Sequence, residues 1–218
     1  MSLPNQTPRE AILTKIRTAL KEHAVEKPFP EVESGDVFVG ETVSREEKYA
    51  DEFSKLGGKF VYCLDEADMM QQLHALADTM KWPVVHTRDK GLLHYFHEHQ
   101  SQLIQDAGDM ADIQVGVSYC EYLVARTGSA IMSSAQGSGR QLPVYSPIHI
   151  TVAYAGQVVW DIAEAMQRLK QKYPKRLPSL ISLTTGPSRT ADIEKTLVVG
   201  VHGPKEVYVF LIDKPMAR

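Results

Sequence analysis

Short apolar runs of strand character alternate with amphipathic stretches of helical period along most of this chain, and no other feature narrows its fold as far. Thr7 ahead of Pro8 is a hydroxyl N-cap followed by proline at the first helical position, and Ile12, Leu13, Ile16 and Leu20 keep helical spacing from Pro8 to His23. Residues 27–44 are rich in Pro, Glu and Gly and read as a linker. Ser44-Arg45-Glu46-Glu47 has the capping-box pattern and predicts a helix through Leu56, ended by Gly57-Gly58. Strands are then predicted at Lys59 to Leu64, Pro83 to His86, Ala111 to Val117, Ser129 to Ser133, His149 to Tyr154, Val158 to Trp160, Ser179 to Thr184 and Val207 to Ile212. Helices are predicted at Asp65 to Met80, Leu92 to Leu103 and Asp161 to Tyr173, with a short helix or turn at Tyr119 to Arg126 and a flexible loop at Gln136 to Gln141. Strands separated by helices in this way imply an α/β fold with a largely parallel sheet, whose ligands usually sit beyond the carboxyl ends of the strands.

The 218 residues suit one domain, or one domain with an appendage, and a chain of this size needs neither disulfide nor metal to fold. Two cysteines, Cys63 and Cys120, with no CxxC, cannot by themselves ligate an iron–sulfur cluster. Both are expected to be buried packing residues. No stretch of 18 apolar residues is present and Met1 to Gln6 has no apolar signal region, so no membrane association is expected and the cytoplasm is the expected location. A net charge of -3 does not favour nucleic acid as a partner. The charge is uneven, however. Residues 1–115 carry 12 Lys and Arg against 20 Asp and Glu, whereas residues 116–218 carry 12 against 7. A basic carboxyl-terminal half suits either a solvated surface or an anionic ligand, carboxylate or phosphate.

Three stretches could carry chemistry. Thr184 to Glu194 follows a predicted strand and is read as preceding a short helical segment. Gly186 and Pro187 form a tight turn there. Ser188 and Thr190 add hydroxyls, Arg189 adds a fork of donors, and Asp192 closes the group. Donors at a helix start favour an anion, but Arg189 could equally pair with Asp192 or Glu194. Thr127-Gly128-Ser129 opens a strand with small donors, as either a ligand contact or a plain turn. Glu121, just upstream, is either a catalytic carboxylate or the partner of an arginine such as Arg126. In Gly200-Val201-His202-Gly203-Pro204 the imidazole of His202 is displayed between small residues, and His149 opens a strand. Either could act as a general base near neutral pH or serve as a hydrogen-bonded structural group. His94, His97 and His99 do not share one helix face and read as surface histidines, so no metal site is assigned. There is neither a P-loop nor a GxGxxG, and no cofactor is evident.

Glu121 to Ser129 (EYLVARTGS), Gly139-Arg140, Pro147 to Ile150, Thr185 to Glu194 (TGPSRTADIE) and Gly200 to Pro204 (GVHGP) resemble, in order and spacing, the signature of the LUD domain family, lactate-utilisation protein C type. The resemblance covers roughly residues 45–213 and departs at Arg126, where the family often has an acidic residue. It implies an N-terminal helix and linker at 1–44 and an α/β domain at 45–218. That domain would be a three-layer α/β/α fold of the NagB/RpiA/CoA-transferase-like type. It also implies a part in using L-lactate, beside iron–sulfur partner proteins that oxidise lactate to pyruvate. On that reading this chain is an accessory or substrate-handling component that binds a small anion. Thr127, Gly128, Ser129, Arg140, Gly186, Pro187, Ser188, Arg189, Thr190 and Asp192 would hold the ligand, and Glu121, His202 and His149 would be the catalytic candidates. The alternatives are a stand-alone CoA-transferase-like or folate-ligase-like enzyme, with Glu121 as nucleophile, and a metabolite-sensing regulatory protein.

Overall fold

The computed structural model describes residues 7–22, 43–109, 112–191 and 197–214. The chain divides into two units, Met1–Glu41 and Thr42–Arg218. In the first, helix α1 (Pro8–Glu22) begins as the sequence predicts. Thr7 N–H donates to Glu10 Oε2 at 2.8 Å and Glu10 N–H donates back to Thr7 Oγ1 at 3.3 Å. This reciprocal pair satisfies donors that the first turn leaves open. The linker reading of 27–44 falls almost wholly outside the described residues.

In the second unit α2 (Arg45–Lys55) carries the reciprocal capping box of Ser44 and Glu47. The strands are β1 (Lys59–Cys63), β2 (Val85–Thr87), β3 (Ile104–Asp106), β4 (Val115–Tyr119), β5 (Tyr122–Val124), β6 (Ser129–Ser133), β7 (Ile148–Tyr154), β8 (Val158–Val159), β9 (Ile181–Thr184), β10 (Arg189–Ala191), β11 (Leu197–Val199) and β12 (Glu206–Ile212). The further helices are α3 (Glu66–Met80), α4 (Lys90–Glu98), α5 (Leu142–Tyr145) and α6 (Ile162–Lys172). Six strands form a parallel sheet in the order β1-β12-β7-β4-β2-β3. This is the α/β fold with a parallel sheet that the alternation implies.

The period of two along each central strand sends its side chains to two different cores. On one face Tyr208, Phe210 and Ile212 of β12 and Ile150 and Val152 of β7 pack with Met69, Leu73 and Ala77 of α3 and Leu92 and Phe96 of α4. On the other, Val207, Val209, Leu211 and Ala153 pack with Tyr49 and Phe53 of α2 and with Leu123, Ala130 and Met132. The last three belong to a second sheet, β8-β5-β6-β9, whose outer face is covered by Ala165 and Leu169 of α6. The second covering layer is therefore a helix beside a small sheet, not helices alone.

Four predicted segments fold differently. The helix expected over 92–103 stops at Glu98. Gln100 takes φ +57, and Leu103 and Ile104 swing in beside β2, where Val85 N–H donates to Leu103 O at 2.9 Å. Within 119–126 Tyr119 ends β4 and Tyr122–Val124 form β5, paired with β6 and β8, so that only the 3-10 turn at Ala125–Thr127 keeps the expected short helix or turn. Arg189–Ala191 is a strand antiparallel to β11 (Leu197–Val199), so a strand stands where a short helical segment is expected after Glu194. The loop at 136–141 is pinned: Ser138 is buried and donates to Asp89 Oδ2 at 2.6 Å. Cys63 and Cys120 are buried, as expected. Burial pushes the Cys63 thiol up to about 12, with Asp68 and Asp65 adding to it, and burial raises that of Cys120 as well.

Candidate functional site

At the amino ends of β7 and β12 lies a cavity of about 390 Å³. His149 and Val207, both on its wall, are register partners on these adjacent strands. The carboxyl-end expectation does not hold for this cavity. Its position follows from the hairpin β10–β11, which brings two loops across the amino ends. Ser188 N–H donates to Pro204 O at 2.8 Å, and Gly200 N–H donates to Ser188 O at 2.9 Å. The two motifs singled out in the sequence, Gly186 to Arg189 and Gly200 to Pro204, are thereby held back to back. A Cβ on Gly203 would stand 3.0 Å from Ser188 Cβ, so glycine there lets the two loops approach without displacing Ser188.

The rest of the wall comes from α2, α5 and the end of β9. Leu56 caps α2. Gly186, at φ +70, lets the turn approach it, since a Cβ would lie 3.0 Å from Leu56 Cβ. Pro143 and Val144 of α5 make the opposite wall apolar. Arg189 Nη2 donates to Leu56 O at 2.6 Å. A cation is favoured at this helix end, where the carbonyls carry partial negative charge. That single bond uses one of five guanidinium donors, and Arg189 forms no ion pair among the described residues.

His149 is buried, with Nε2 3.0 Å from Ser118 Oγ. Burial lowers its pKa to about 4, so the ring is neutral at pH 7. His202 is exposed at the cavity wall, as the displayed-loop reading expects. Ser118, the partner of His149, escaped the sequence reading. Its only signal is a hydroxyl at an inward position of an otherwise apolar strand.

Thr127, Gly128 and Ser129 stand behind the cavity. Thr127 Oγ1 and Ser129 Oγ are 2.8 Å apart, and Ser129 Oγ is 2.8 Å from Thr185 Oγ1, which belongs to the wall. Gly128, at φ +59, admits the backbone of α2, because a Cβ would lie 2.5 Å from Phe53 N. Thr185 and Leu56 are wall residues that the sequence reading did not nominate. Thr190 contributes backbone to β10, its side chain lies outside the described set, and Asp192 lies outside the described residues altogether.

Glu121 and Arg140 line other regions. Glu121 is buried in a side-chain cluster of its own. Its Oε2 meets Lys172 Nζ at 2.7 Å, and its Oε1 accepts from Tyr173 OH at 2.8 Å and from Ser133 Oγ at 2.5 Å. Its ion-pair partner is thus Lys172 of α6. Burial pulls the Lys172 ammonium down, but its hydrogen bond and charge contact with Glu121 outweigh this and hold its pKa up. Among the described residues no group of three or more His, Cys, Asp or Glu could hold a metal ion. No helix of the described chain is long and apolar enough to cross a membrane.

The cavity can take a small anion. Arg189, Ser188 and Thr185 offer charge and donors, Leu56, Val144 and Val207 offer apolar cover, and two imidazoles lie on the wall.

The family model described as LUD domain matches residues 8–212. A "Lactate utilization protein C" of Shouchella clausii (strain KSM-K16) is 28% identical over 210 residues, 94% of this chain and 83% of that protein. The protein of the same name from Halalkalibacterium halodurans is 33% identical over 121 residues, 54% of this chain and 51% of the relative. "Uncharacterized protein YkgG" of Escherichia coli (strain K12) is 38% identical over 103 residues, 46% and 45% of the two chains. The matched segment thus spans only about half the length of these last two relatives. A crystal structure of a DUF162 family protein from Deinococcus radiodurans shares the fold, with a TM-score of 0.55 at 17% identity, over 78% of this chain and 99% of that one.

Proposed function

The chain belongs to the LUD domain family, and from that premise we propose that it serves L-lactate utilisation as a substrate-handling component, with the amino-end cavity as the seat of a small carboxylate. The reading is supported by the names of its relatives and by one convergence: Ser188, Arg189, His202 and His149, from three separate sequence regions, line a single cavity of about 390 Å³. Arg189 and Ser188 hold the carboxylate of L-lactate, Leu56 and Val144 cover its methyl group, and His202 contacts the α-hydroxyl. Arg189 suits this task because its fork matches a carboxylate bidentately.

Oxidation of lactate to pyruvate removes two protons and two electrons. An imidazole in the cavity can accept the hydroxyl proton. The α-hydrogen must leave with both electrons, as a hydride or as a proton and two electrons, to an acceptor on another component, which the family resemblance identifies with iron–sulfur partner proteins. Glu121 as a covalent nucleophile is disfavoured, since both its oxygens already bind Lys172, Tyr173 and Ser133.

A thermal-shift panel of L-lactate, D-lactate, pyruvate, acyl-CoA and folate tests the reading. A ligand at about 100 times its Kd adds about 2.7 kcal/mol, or roughly 5–11 °C for a chain of this size. The expected result is a shift with L-lactate that is lost in Arg189→Ala. A shift with acyl-CoA or folate, or an L-lactate shift untouched by Arg189→Ala, would sink the proposal.

A further inference from the structure

The carboxyl ends of the parallel strands hold a second concavity, of about 420 Å³, lined by Arg88, Ser134, Gly137, Arg140, Gln141 and Ser179 among others. Arg88 follows directly on the last residue of β2, so this hollow lies where open α/β sheets most often bind ligands. Its rim is a glycine turn held by a buried carboxylate. Asp89 Oδ2 accepts from Ser138 Oγ at 2.6 Å and from Tyr119 N–H, at the end of β4, at 3.0 Å. Gly137 is closed up against Asp89, where a Cβ would lie 2.6 Å from Oδ1. Gly139 takes φ +58 with open space around it.

This arrangement leaves charge and donors unanswered. Neither arginine has a carboxylate partner among the described residues. Arg88 donates to Gln141 Oε1 at 3.2 Å and, at the limit of hydrogen bonding, to Gly108 O at 3.5 Å. Arg140 is exposed and makes no hydrogen bond or ion pair among the described residues. Within the turn, Gln136 N–H donates to Ser133 O and Gly139 N–H to Gln136 O, but the amides of Gly137, Ser138 and Arg140 have no acceptor among the described residues. A hydroxyl pair, Ser134 and Ser179 with their oxygens 3.0 Å apart, completes the lining. Asp89 accepts two hydrogen bonds at Oδ2, lies buried beneath Gly137 and is not part of that lining.

We propose that this hollow binds a phosphoryl group, as a second ligand site separate from the amino-end cavity. Two guanidiniums match a dianion, whereas a single carboxylate would leave one of them unanswered. A glycine turn with free amides and nearby hydroxyls supplies donors for the several oxygens of a phosphoryl group. The site is open, so a phosphate ester can leave the rest of its molecule in solvent. The chain then brings together a carboxylate at one end of its sheet and a phosphorylated small molecule at the other.

The test is titration of the full chain with inorganic phosphate and with glycerol phosphate, followed by 31P NMR and calorimetry, with acetate as the monoanionic control. Arg140→Ala is the clean variant, because that exposed side chain makes no hydrogen bond or ion pair among the described residues. It should weaken both phosphates by about tenfold, with Arg140→Lys falling between it and the parent, and the Arg88→Ala/Arg140→Ala pair should lose binding altogether. Tighter binding of glycerol phosphate than of inorganic phosphate assigns the hollow to a phosphate ester, and equal binding assigns it to free phosphate. Arg189→Ala should leave phosphate affinity within about twofold while abolishing the L-lactate shift, so the two sites fail or stand separately. Phosphate affinity unchanged in the double variant, lost in Arg189→Ala instead, or matched by acetate would overturn the proposal.

Discussion

At the amino ends of β7 and β12 the cavity is walled by α2, α5 and a strand hairpin, with apolar side chains facing its polar ones. At the carboxyl ends of β2 and β4 the hollow is an open turn lined by arginine, serine and glycine. Both ends use glycines, for close approach at Gly203, Gly186 and Gly137 and for positive φ at Gly186 and Gly139. Gly203 and Gly186 sit where another chain segment approaches closely, whereas Gly139 sits in open space and is needed for its positive φ. The first end is a product of packing between separate chain segments. The second is a product of local turn geometry and stays wet. The general rule for parallel sheets points to the carboxyl end. The hairpin β10–β11, inserted ahead of β12, is what makes a walled site at the other.

The largest expected effect attacks the packing at the amino end. Gly128→Val puts a side chain against the Phe53 backbone at a left-handed φ, and should cost about 3 kcal/mol, read as a fall of roughly 6–12 °C in Tm. It should also weaken ligand binding at the cavity, whose α2 wall it displaces, while phosphate binding at the hollow persists once the protein is folded. Next comes pH. The folded pKa of His149, about 4, lies below its ordinary value near 6.5, so the unfolded chain binds the extra proton first. Stability from this group is full above about pH 6.5 and is lost as pH falls to about 4, by at most about 3 kcal/mol. Melting curves of the parent and of His149→Gln across that window should diverge. Parallel curves would refute the buried neutral ring.

Glu121→Ala should cost about 2 kcal/mol, less than a fully buried pair would, because Lys172 is half exposed. That loss should appear in chemical denaturation and leave binding at both ends unchanged once the protein is folded. A selective loss of binding would reconnect Glu121 with one of the sites. The smallest effect concerns Lys59 and Glu206, at 2.5 Å beside the start of β12. Both are substantially exposed, so Glu206→Gln should cost less than about 1 kcal/mol, and salt titration should shrink even that.

Much of the α/β pattern was legible because it rests on local rules. The capping boxes at Thr7 and Ser44, the N-caps Asp65 and Asp161 and the apolar strands β7 and β12 are each specified within a few neighbouring residues. Three of the segments that misled are short strands. β3 and β5 are three-residue strands that rest on partners distant in sequence, Ile104 on Val85 and Leu123 on Val158, whereas β10 pairs with the nearby β11.

The candidate site divides along the same line. The glycine and proline loops at 186–189 and 200–204 announced themselves through residue types that suit turns and close approach. Composition held no record of distance, so it could not show that Ser188 binds Pro204, that His149 faces Ser118, or that Arg189 caps α2 at Leu56. Nor could it separate Glu121 from the cavity residues. By itself the sequence determined the helix starts, the strand alternation and the inventory of donors. Only the tertiary structure decided which donors share a cavity and at which end of the sheet, because long-range pairing and burial set those positions, and neither is encoded in a local window.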